Sequence, residues 1–451
     1  MSTLLDLLPF AEMSRLELGF WSFAVLLGMI FLRAPIGLAM LLCGFGGWYY
    51  AMNGNPTPIL AKLKSETYTT FSNYALTIIP MFLLMGQFAT LSGMSSALFR
   101  AAESFLGHRR GGVAMASVGA CAGFGAICGS SLATAATMSR VALPELRRYG
   151  YSGGFSTATL AAGGTLGILI PPSVILVIYA IITEQNIAKL FLAAFVPGIL
   201  AALGYMLTIS VYVRLYPNSA GTREAVPMAE RWKALGATWP VLAIFAVVVG
   251  GIYLGVFTPT EGSAIGAMGT GLVALLSGSL NWSVFRESLL GTARTTAMIF
   301  FIVLGASFYN GFLALSGVPQ FMADWVLTQG FSPWLVLSII LLFYLVFGCL
   351  MDSLSMILLT VPIFFPVISA MDFGMSPEHV AIWFGILVLI VVEVGLITPP
   401  VGMNLFIINA MDRETPMTET YKAVMFFVGS DIARVVILVM FPAITLFLVP
   451  A

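Results

Sequence analysis

The sequence is poor in charged residues. Only 9% of its 451 residues are Asp, Glu, Lys or Arg, whereas 59% are hydrophobic. A soluble domain carries about 25% charged residues, so this chain cannot cover a water-facing surface, and its apolar residues form long runs. We therefore interpret it as an integral membrane protein. Its 20 basic and 20 acidic residues cancel, and without a basic face it is not expected to bind nucleic acid.

Residues typical of metal centres and catalytic sites are also scarce. There are two histidines and four cysteines, with no HExxH pattern and no cysteine pair at zinc-ligand spacing. No GxxxxGK[ST] sequence is present to hold ATP phosphates. The cysteines lie in apolar surroundings and are interpreted as small buried hydrophobes. These absences predict a protein that is not an enzyme, with no transition metal and no cofactor other than a coupling ion.

Long apolar runs predict ten helices able to cross about 30 Å of hydrocarbon. Two longer apolar blocks, 112–143 and 333–370, are interrupted at their centres by polar residues. If each block enters and leaves on one side, it is a re-entrant hairpin, which is tolerated only when buried in protein. The predicted spans lie near residues 16–32, 36–52, 74–92, 156–183, 190–214, 235–255, 262–280, 293–314, 379–411 and 431–449.

The distribution of basic residues favours the hairpin interpretation. With the N-terminus outside, ten spans and two hairpins place fifteen Lys and Arg residues in the cytoplasm and four outside, with Arg434 ambiguous within the last helix. This agrees with the excess of positive charge in cytoplasmic loops.

The two halves of the chain resemble each other. Phe88-Ala-Thr-Leu-Ser-Gly-Met94 recurs as Phe312-Leu-Ala-Leu-Ser-Gly-Val318, and two further landmarks recur at similar offsets. These landmarks are Ser130-Ser131-Leu132 with Asp352-Ser353-Leu354, and Gly167-Ile-Leu-Ile-Pro-Pro172 with Gly395-Leu-Ile-Thr-Pro-Pro400. The topology inserts the second copy upside down, and inverted repeats with matching broken elements are typical of secondary transporters.

Polar tips interrupt both hairpins. In the first, Cys128-Gly-Ser-Ser-Leu-Ala-Thr134 would expose helix ends and carbonyls at mid-depth, suited to sodium or a carboxylate. The alternative is a packing seam of small residues between helices.

In the second hairpin, Asp352 lies in a stretch, 295–412, without Lys or Arg. An acid at mid-membrane costs about 2.5–3.5 kcal/mol and marks an ion pathway, although Asp352 could also cap the second arm.

Each hairpin is followed by a helix that a Pro-Pro pair must interrupt, at Pro171-Pro172 and Pro399-Pro400. The freed carbonyls could coordinate an ion, or a neighbouring hydroxyl could fill a simple kink.

Glu393 precedes the second break and either binds an ion or forms a hydrogen bond with the neighbouring hairpin. Asn404 follows the same break and either contacts substrate or donates a hydrogen bond to a neighbouring helix. Segments 93–110 and 184–197 are amphipathic and are interpreted either as interfacial arms or as solvated faces.

Together with Gly255-Val-Phe-Thr-Pro-Thr-Glu261, these tips and breaks resemble the large membrane subunit of tripartite ATP-independent periplasmic (TRAP) transporters, the DctM family. The resemblance covers residues 16–450. It implies an elevator-type, sodium-driven secondary transporter in the bacterial inner membrane. Such a transporter takes organic acids from a periplasmic solute-binding protein and works with a small four-helix membrane subunit, here expected as a separate polypeptide.

The resemblance also implies site residues. One sodium site would comprise Ser130 with the backbone of Gly167, Ile170 and Pro171. The other would comprise Asp352 with Thr398 and Pro399. Ser131, Thr134 and Asn404 are the residues expected to contact substrate. The alternative is a stand-alone carboxylate symporter or antiporter of the same fold that needs no binding protein.

The sequence thus predicts an all-α polytopic membrane protein built from two inverted repeats. Each repeat has five spanning helices and one re-entrant hairpin, in an elevator-type ion transporter fold. The first repeat spans 16–214, a cytoplasmic connector 215–234, and the second repeat 235–450, with broken helices at 156–183 and 379–411.

Overall fold

The computed structural model describes residues 13–450, and within that range the regular structure is entirely helical. Short 3₁₀ turns at Tyr74–Thr77 and Pro217–Ser219 accompany the α-helices. The helices are α1 Arg15–Phe31, α2 Ile36–Ala51, α3 Pro56–Phe71, α4 Ile78–Leu91, α5 Met94–Leu106, α6 Gly112–Cys128, α7 Ser131–Arg148, α8 Gly153–Leu169, α9 Val174–Ile182, α10 Ile187–Leu215, α11 Met228–Gly236, α12 Trp239–Tyr253, α13 Pro259–Leu276, α14 Trp282–Ser316, α15 Val318–Thr328, α16 Pro333–Gly348, α17 Ser353–Ser369, α18 Pro377–Gly395, α19 Met403–Met411, α20 Met417–Met440 and α21 Pro442–Leu446.

Many of these helices are apolar enough to lie in a bilayer. Within residues 13–450, five helices qualify as candidate spans by length and composition alone, or seven when each of two bent helix pairs counts as one span. One bent pair is α8 and α9, with an angle of 46° between them. The prediction of a polytopic all-α membrane protein agrees with this fold, whereas the figure of ten spans and the inverted orientation of the repeats stay predictions.

The two predicted polar tips each lie between consecutive helices, whereas the re-entrant course of these helix pairs stays a prediction. Helices α6 and α7 meet at Gly129, whose φ of +63° favours glycine, and α16 and α17 meet at residues 349–352. Both predicted helix breaks also form, because proline removes a backbone donor and clashes with the preceding turn. The first separates α8 from α9 and the second separates α18 from α19.

The recurring Leu-Ser-Gly sequence makes the same corner in both halves. Gly93 and Gly317 have φ values of +78° and +76°, a left-handed conformation that most residues avoid. After each glycine a short helix begins, α5 in the first half and α15 in the second. Helix α5 is the predicted arm at 93–110, whereas α15 was not anticipated.

Several helix boundaries differ from the prediction. Residues 187–197 are the first turns of the long helix α10 rather than a separate arm, although Pro197 lies within it. The predicted span 293–314 is part of α14, and the predicted span 431–449 covers the end of α20 and the short helix α21. Both α14 and α20 begin earlier than expected. The polar first turns of these helices reach beyond the apolar core, so hydropathy locates the buried part of each helix but not its ends.

Helix α3, Pro56–Phe71, was missed because its composition is polar. Asn55 caps it by accepting a hydrogen bond from the Thr57 backbone N–H at 3.0 Å, and Pro56 occupies its first turn. Both are recognised helix-start signals.

The helices pack in two groups that each draw on both halves of the chain. In the first, α1, α2, α4, α12, α13 and α14 pack together. In the second, the two hairpins and both broken helices pack with α10 and α20. The two sequence halves are therefore interleaved, and the polar tips and breaks all belong to the second group.

Candidate functional site

The first hairpin tip is shaped by Ser130. Its backbone is extended, and its Oγ accepts a hydrogen bond from the Ala133 backbone N–H at 3.4 Å, so that it caps the N-terminus of α7. The Ser130 carbonyl accepts the first backbone bond of that helix, from Thr134 N–H at 3.0 Å. The sequence therefore places a helix N-terminus, with its partial positive charge, at the end of the first hairpin.

The first helix break lies directly against this tip. A Cβ added to Gly167 would lie 2.8 Å from the Ser130 carbonyl oxygen and 2.5 Å from Thr134 Oγ1. Helix α8 ends two residues later, with extended backbone at Ile170 followed by Pro171. The structure therefore brings Ser130 and Gly167 together, with Ile170 and Pro171 at the end of the same helix.

The second tip is shaped by Asp352. Its carboxylate accepts hydrogen bonds from the Ser355 backbone N–H at 3.1 Å and from Ser355 Oγ at 2.6 Å, capping α17. The capping alternative drawn from the sequence is therefore observed. The side chain is only partly buried and also borders a cavity, so capping leaves it accessible to a ligand.

The second break lies against the second tip in the same way. A Cβ on Gly395 would lie 2.6 Å from the Gly348 Cα, and the Cys349 carbonyl accepts a hydrogen bond from Gly402 N–H at 3.3 Å. Thr398 Oγ1 donates to the Val394 carbonyl at 2.7 Å, and Pro399 follows it. Within residues 13–450, no hydrogen bond joins Asp352 to Thr398 or Pro399, so this set is less closely assembled than the first.

A cavity of about 140 Å³ lies between the two tips. Ser130 and Ser131 border it from the first hairpin, and Asp352 and Ser353 from the second. Helices α7 and α17 both begin at this cavity, so two positive helix ends face one space. Among the described residues that line it, Asp352 is the only charged one.

The three predicted substrate residues occupy different positions. Ser131 borders the cavity. Thr134 is fully buried beside Gly167, and its hydroxyl has no hydrogen-bond partner among the described residues. Asn404 is fully buried and donates from Nδ2 to the Ala161 carbonyl at 3.3 Å, so the interhelical bond considered from the sequence is observed. Neither Thr134 nor Asn404 borders the cavity.

Residues from the first packing group complete the wall of the cavity. Leu83 of α4 and Thr295, Met298 and Ile299 of α14 face the tips. No sequence pattern marks these residues, because both helices are apolar on most faces and periodicity does not identify the face that lines a cavity. The cavity therefore lies where the two packing groups meet.

Comparisons with known proteins agree with these features. A family model described as "Tripartite ATP-independent periplasmic transporter, DctM component" matches residues 23–444. The C4-dicarboxylate TRAP transporter large permease protein DctM of Pseudomonas aeruginosa is 37% identical over 388 residues, covering 85% of this chain and 88% of that protein. The sialic acid TRAP transporter large permease protein SiaM of Vibrio cholerae is 29% identical, covering 94% and 96%.

The fold is also found in a solved structure. The YdaH transporter of Alcanivorax borkumensis matches with a TM-score of 0.61 at 13% identity, covering 85% of this chain and 88% of that one. At this identity the likeness concerns the fold alone. The family match over nearly the whole chain, together with the close relatives, shows that this multi-pass protein of the bacterial inner membrane belongs to the DctM family of TRAP transporter large permease subunits.

Proposed function

We propose that the protein imports an organic carboxylate, driven by sodium, after a periplasmic solute-binding protein delivers it. The observation that carries this proposal is the cavity between the two tips, which two helix N-termini and one carboxylate face. The family is one of transport permeases rather than of enzymes, and membership implies a small membrane subunit and a periplasmic binding protein as partners. The small subunit is proposed to have four helices.

A carboxylate solute suits the N-terminal ends of α7 and α17. The first backbone N–H groups of a helix have no partner within the helix, and the helix dipole adds positive potential there. Ser131 can donate a hydroxyl hydrogen bond to the same anion. Both relatives described above are named for acids, a C4-dicarboxylate and sialic acid, which supports the class of solute without selecting one.

Sodium explains how an anion can bind next to Asp352. Two negative carboxylates in one small cavity repel each other unless a cation lies between them or beside one of them. We propose one sodium ion held by Ser130 with the backbone of Gly167, Ile170 and Pro171. A second is held by Asp352 with Thr398 and Pro399. Hydroxyl and unwound-backbone oxygens are the ligands that coordinate sodium at broken helices of transporters.

Thr134 and Asn404 receive different roles within this proposal. The unpartnered Thr134 hydroxyl next to Gly167 and the Ser130 carbonyl is an additional oxygen for the first ion. Asn404 fixes the position of α19 against α8 through Ala161, and it contacts solute only if those helices separate.

The movement proposed for transport is of the elevator type. The tips and breaks belong to one packing group, and the opposite cavity wall belongs to the other. Sliding the second group past the first would carry the cavity across the membrane without dismantling either tip.

The test is uptake into proteoliposomes that hold both membrane subunits, with the binding protein outside and a panel of radiolabelled acids. We expect uptake of one acid that needs both an inward sodium gradient and the binding protein. Full uptake with sodium absent on both sides and only a pH gradient imposed would reject sodium coupling. Uptake without the binding protein would instead favour a stand-alone symporter.

A further inference from the structure

Glu393 lies on α18, two residues before Gly395 at the second break. It is 1% exposed, and its Oε1 accepts a hydrogen bond from Ser353 Oγ at 2.6 Å. Its other oxygen, Oε2, has no hydrogen-bond partner within the described chain. A buried carboxyl with an unsatisfied oxygen is costly, so its position calls for an explanation beyond packing.

The same carboxyl also interacts with the first hairpin. The hydroxyl of Ser131, at the start of α7, lies close enough to act on Glu393. Ser353 occupies the equivalent position at the start of α17. One side chain on the second broken helix therefore bonds the serine of the second tip and lies near the serine of the first, and both serines border the same cavity.

Each of these serines directly follows a residue proposed to hold sodium. Ser131 follows Ser130, and Ser353 follows Asp352. Each pair also spans the cap and first residue of a helix, so the conformation of the serine is fixed together with that of its neighbour. An ion that orders one tip therefore changes how well that tip's serine meets Glu393.

We infer that Glu393 is a positioning residue that couples the two sodium sites. Sodium at Ser130 orders the first tip and directs Ser131 towards the Glu393 carboxyl. The anchored carboxyl then holds Ser353, and with it Asp352, in the arrangement that accepts the second ion. By linkage, the second ion strengthens binding of the first to the same extent. This inference rests on the proposed sodium coupling.

The experiment measures initial uptake against sodium concentration in proteoliposomes holding both membrane subunits, with the binding protein outside. Wild-type protein is compared with Glu393→Ala, Ser353→Ala and the double variant. Glu378→Gln serves as the control, because Glu378 lies on the same helix α18 but pairs with Lys189 at the surface. The readouts are the sodium Hill coefficient and the half-saturating sodium concentration.

We expect a wild-type Hill coefficient above 1, retained by Glu378→Gln. Each single variant should lower it towards about 1, and the half-saturating sodium concentration should rise by about 5-fold or more, the lower range of allosteric couplings. The double variant should be no worse than the worse single variant, because both changes break one connection. If Glu393→Ala fails to fold, Ser353→Ala, which removes only a hydroxyl, still tests whether the two sodium sites are coupled.

Two results separate failure of the inference from failure of the proposed function. Sodium-independent uptake by the wild-type protein would overturn both. Sodium-dependent uptake with a wild-type Hill coefficient of about 1, or variants that lose maximal rate with an unchanged Hill coefficient, would overturn the coupling role alone.

Discussion

Gly125 of the first hairpin lies directly against Gly167 of the first broken helix, so closely that a Cβ on Gly125 would overlap the Gly167 Cα. The second half repeats this relationship, since a Cβ on Gly395 would lie 2.5 Å from the Gly348 carbonyl carbon. In both places the backbone of a hairpin arm touches the backbone of a broken helix. This contact brings the carbonyls at each break within reach of the tip.

The glycine contacts predict a strong effect of one methyl group. Gly125→Ala should separate α6 from α8, costing about 1–3 kcal/mol of stability as overpacking does and reducing sodium affinity. The matched control is Gly429→Ala on α20, where a Cβ meets nothing within 4 Å. That variant should keep full uptake and gain about 0.5–1 kcal/mol from helix propensity. Thermal unfolding and sodium-dependent uptake measure both effects, and equal behaviour of the two variants would contradict the role of the contact.

Substitutions of Asp352 distinguish a capping role from a role in ion binding. Asp352→Asn keeps a capping oxygen, and Asn and Asp cap helices about equally well, so stability should change by less than about 1 kcal/mol. Removing the charge should nonetheless abolish sodium-driven uptake or demand far more sodium. Asp352→Ala should show a comparable transport defect together with some loss of stability. Normal sodium affinity and rate in well-expressed Asp352→Asn would remove this residue from the site.

Cysteine labelling tests the predicted orientation. Thr57→Cys should react only from the periplasm and Glu224→Cys only from the cytoplasm, because basic residues mark the connector as cytoplasmic. Both positions are exposed, and the four native cysteines are buried, so background labelling should be low. Labelling of both positions from one side would disprove the arrangement of the hairpins.

The Glu103–Arg223 ion pair predicts a pH effect on stability. Glu103 lies on the arm helix α5, and its Oε2 is 3.0 Å from Arg223 Nη1 of the connector. Burial raises the pKa of Glu103, although Arg223 opposes this shift. The folded protein therefore binds a proton on the Glu103 carboxyl more tightly than the unfolded chain does. The stability that this proton contributes is present at low pH and is lost as pH rises through the pKa of Glu103 in the folded protein.

Glu103→Gln should therefore remove the part of the pH dependence that lies above the ordinary glutamate pKa. The measurement is the unfolding temperature of purified protein from pH 4.5, the ordinary pKa of a glutamate side chain, up to pH 7. Glu224→Gln, on the exposed part of the same connector, is the control and should leave the profile unchanged. An identical profile for Glu103→Gln and wild type would disprove the effect.

Asp431 and Arg434 form a buried ion pair on α20, with Arg434 Nη2 2.9 Å from Asp431 Oδ1. Tyr205 donates to Asp431 Oδ2 at 2.7 Å. Arg434→Met alone should cost about 3–5 kcal/mol, because it leaves an uncompensated buried charge. The double variant Asp431→Leu/Arg434→Met should be more stable than Arg434→Met alone. Denaturation of the three proteins measures this, and a double variant less stable than the single one would contradict it.

Much of the local structure followed from the sequence. Gly129 and the two Pro-Pro pairs fix turns and breaks through backbone sterics, which need no distant partner. Asp352 and Ser130 cap helices for equally local reasons. The ends of α14 and α20 were missed because hydropathy records only the buried part of a helix.

What the sequence determined by itself was therefore the membrane class, the two polar tips, the two breaks and the family resemblance, since each depends on composition or on a few adjacent residues. Only the tertiary structure decided that Gly125 meets Gly167, that Thr134 lies beside Gly167, and that Glu393 reaches Ser353. These contacts join residues on different helices, and helices that are hydrophobic on most faces do not encode their partners in periodicity. Close packing of the folded helices selects them.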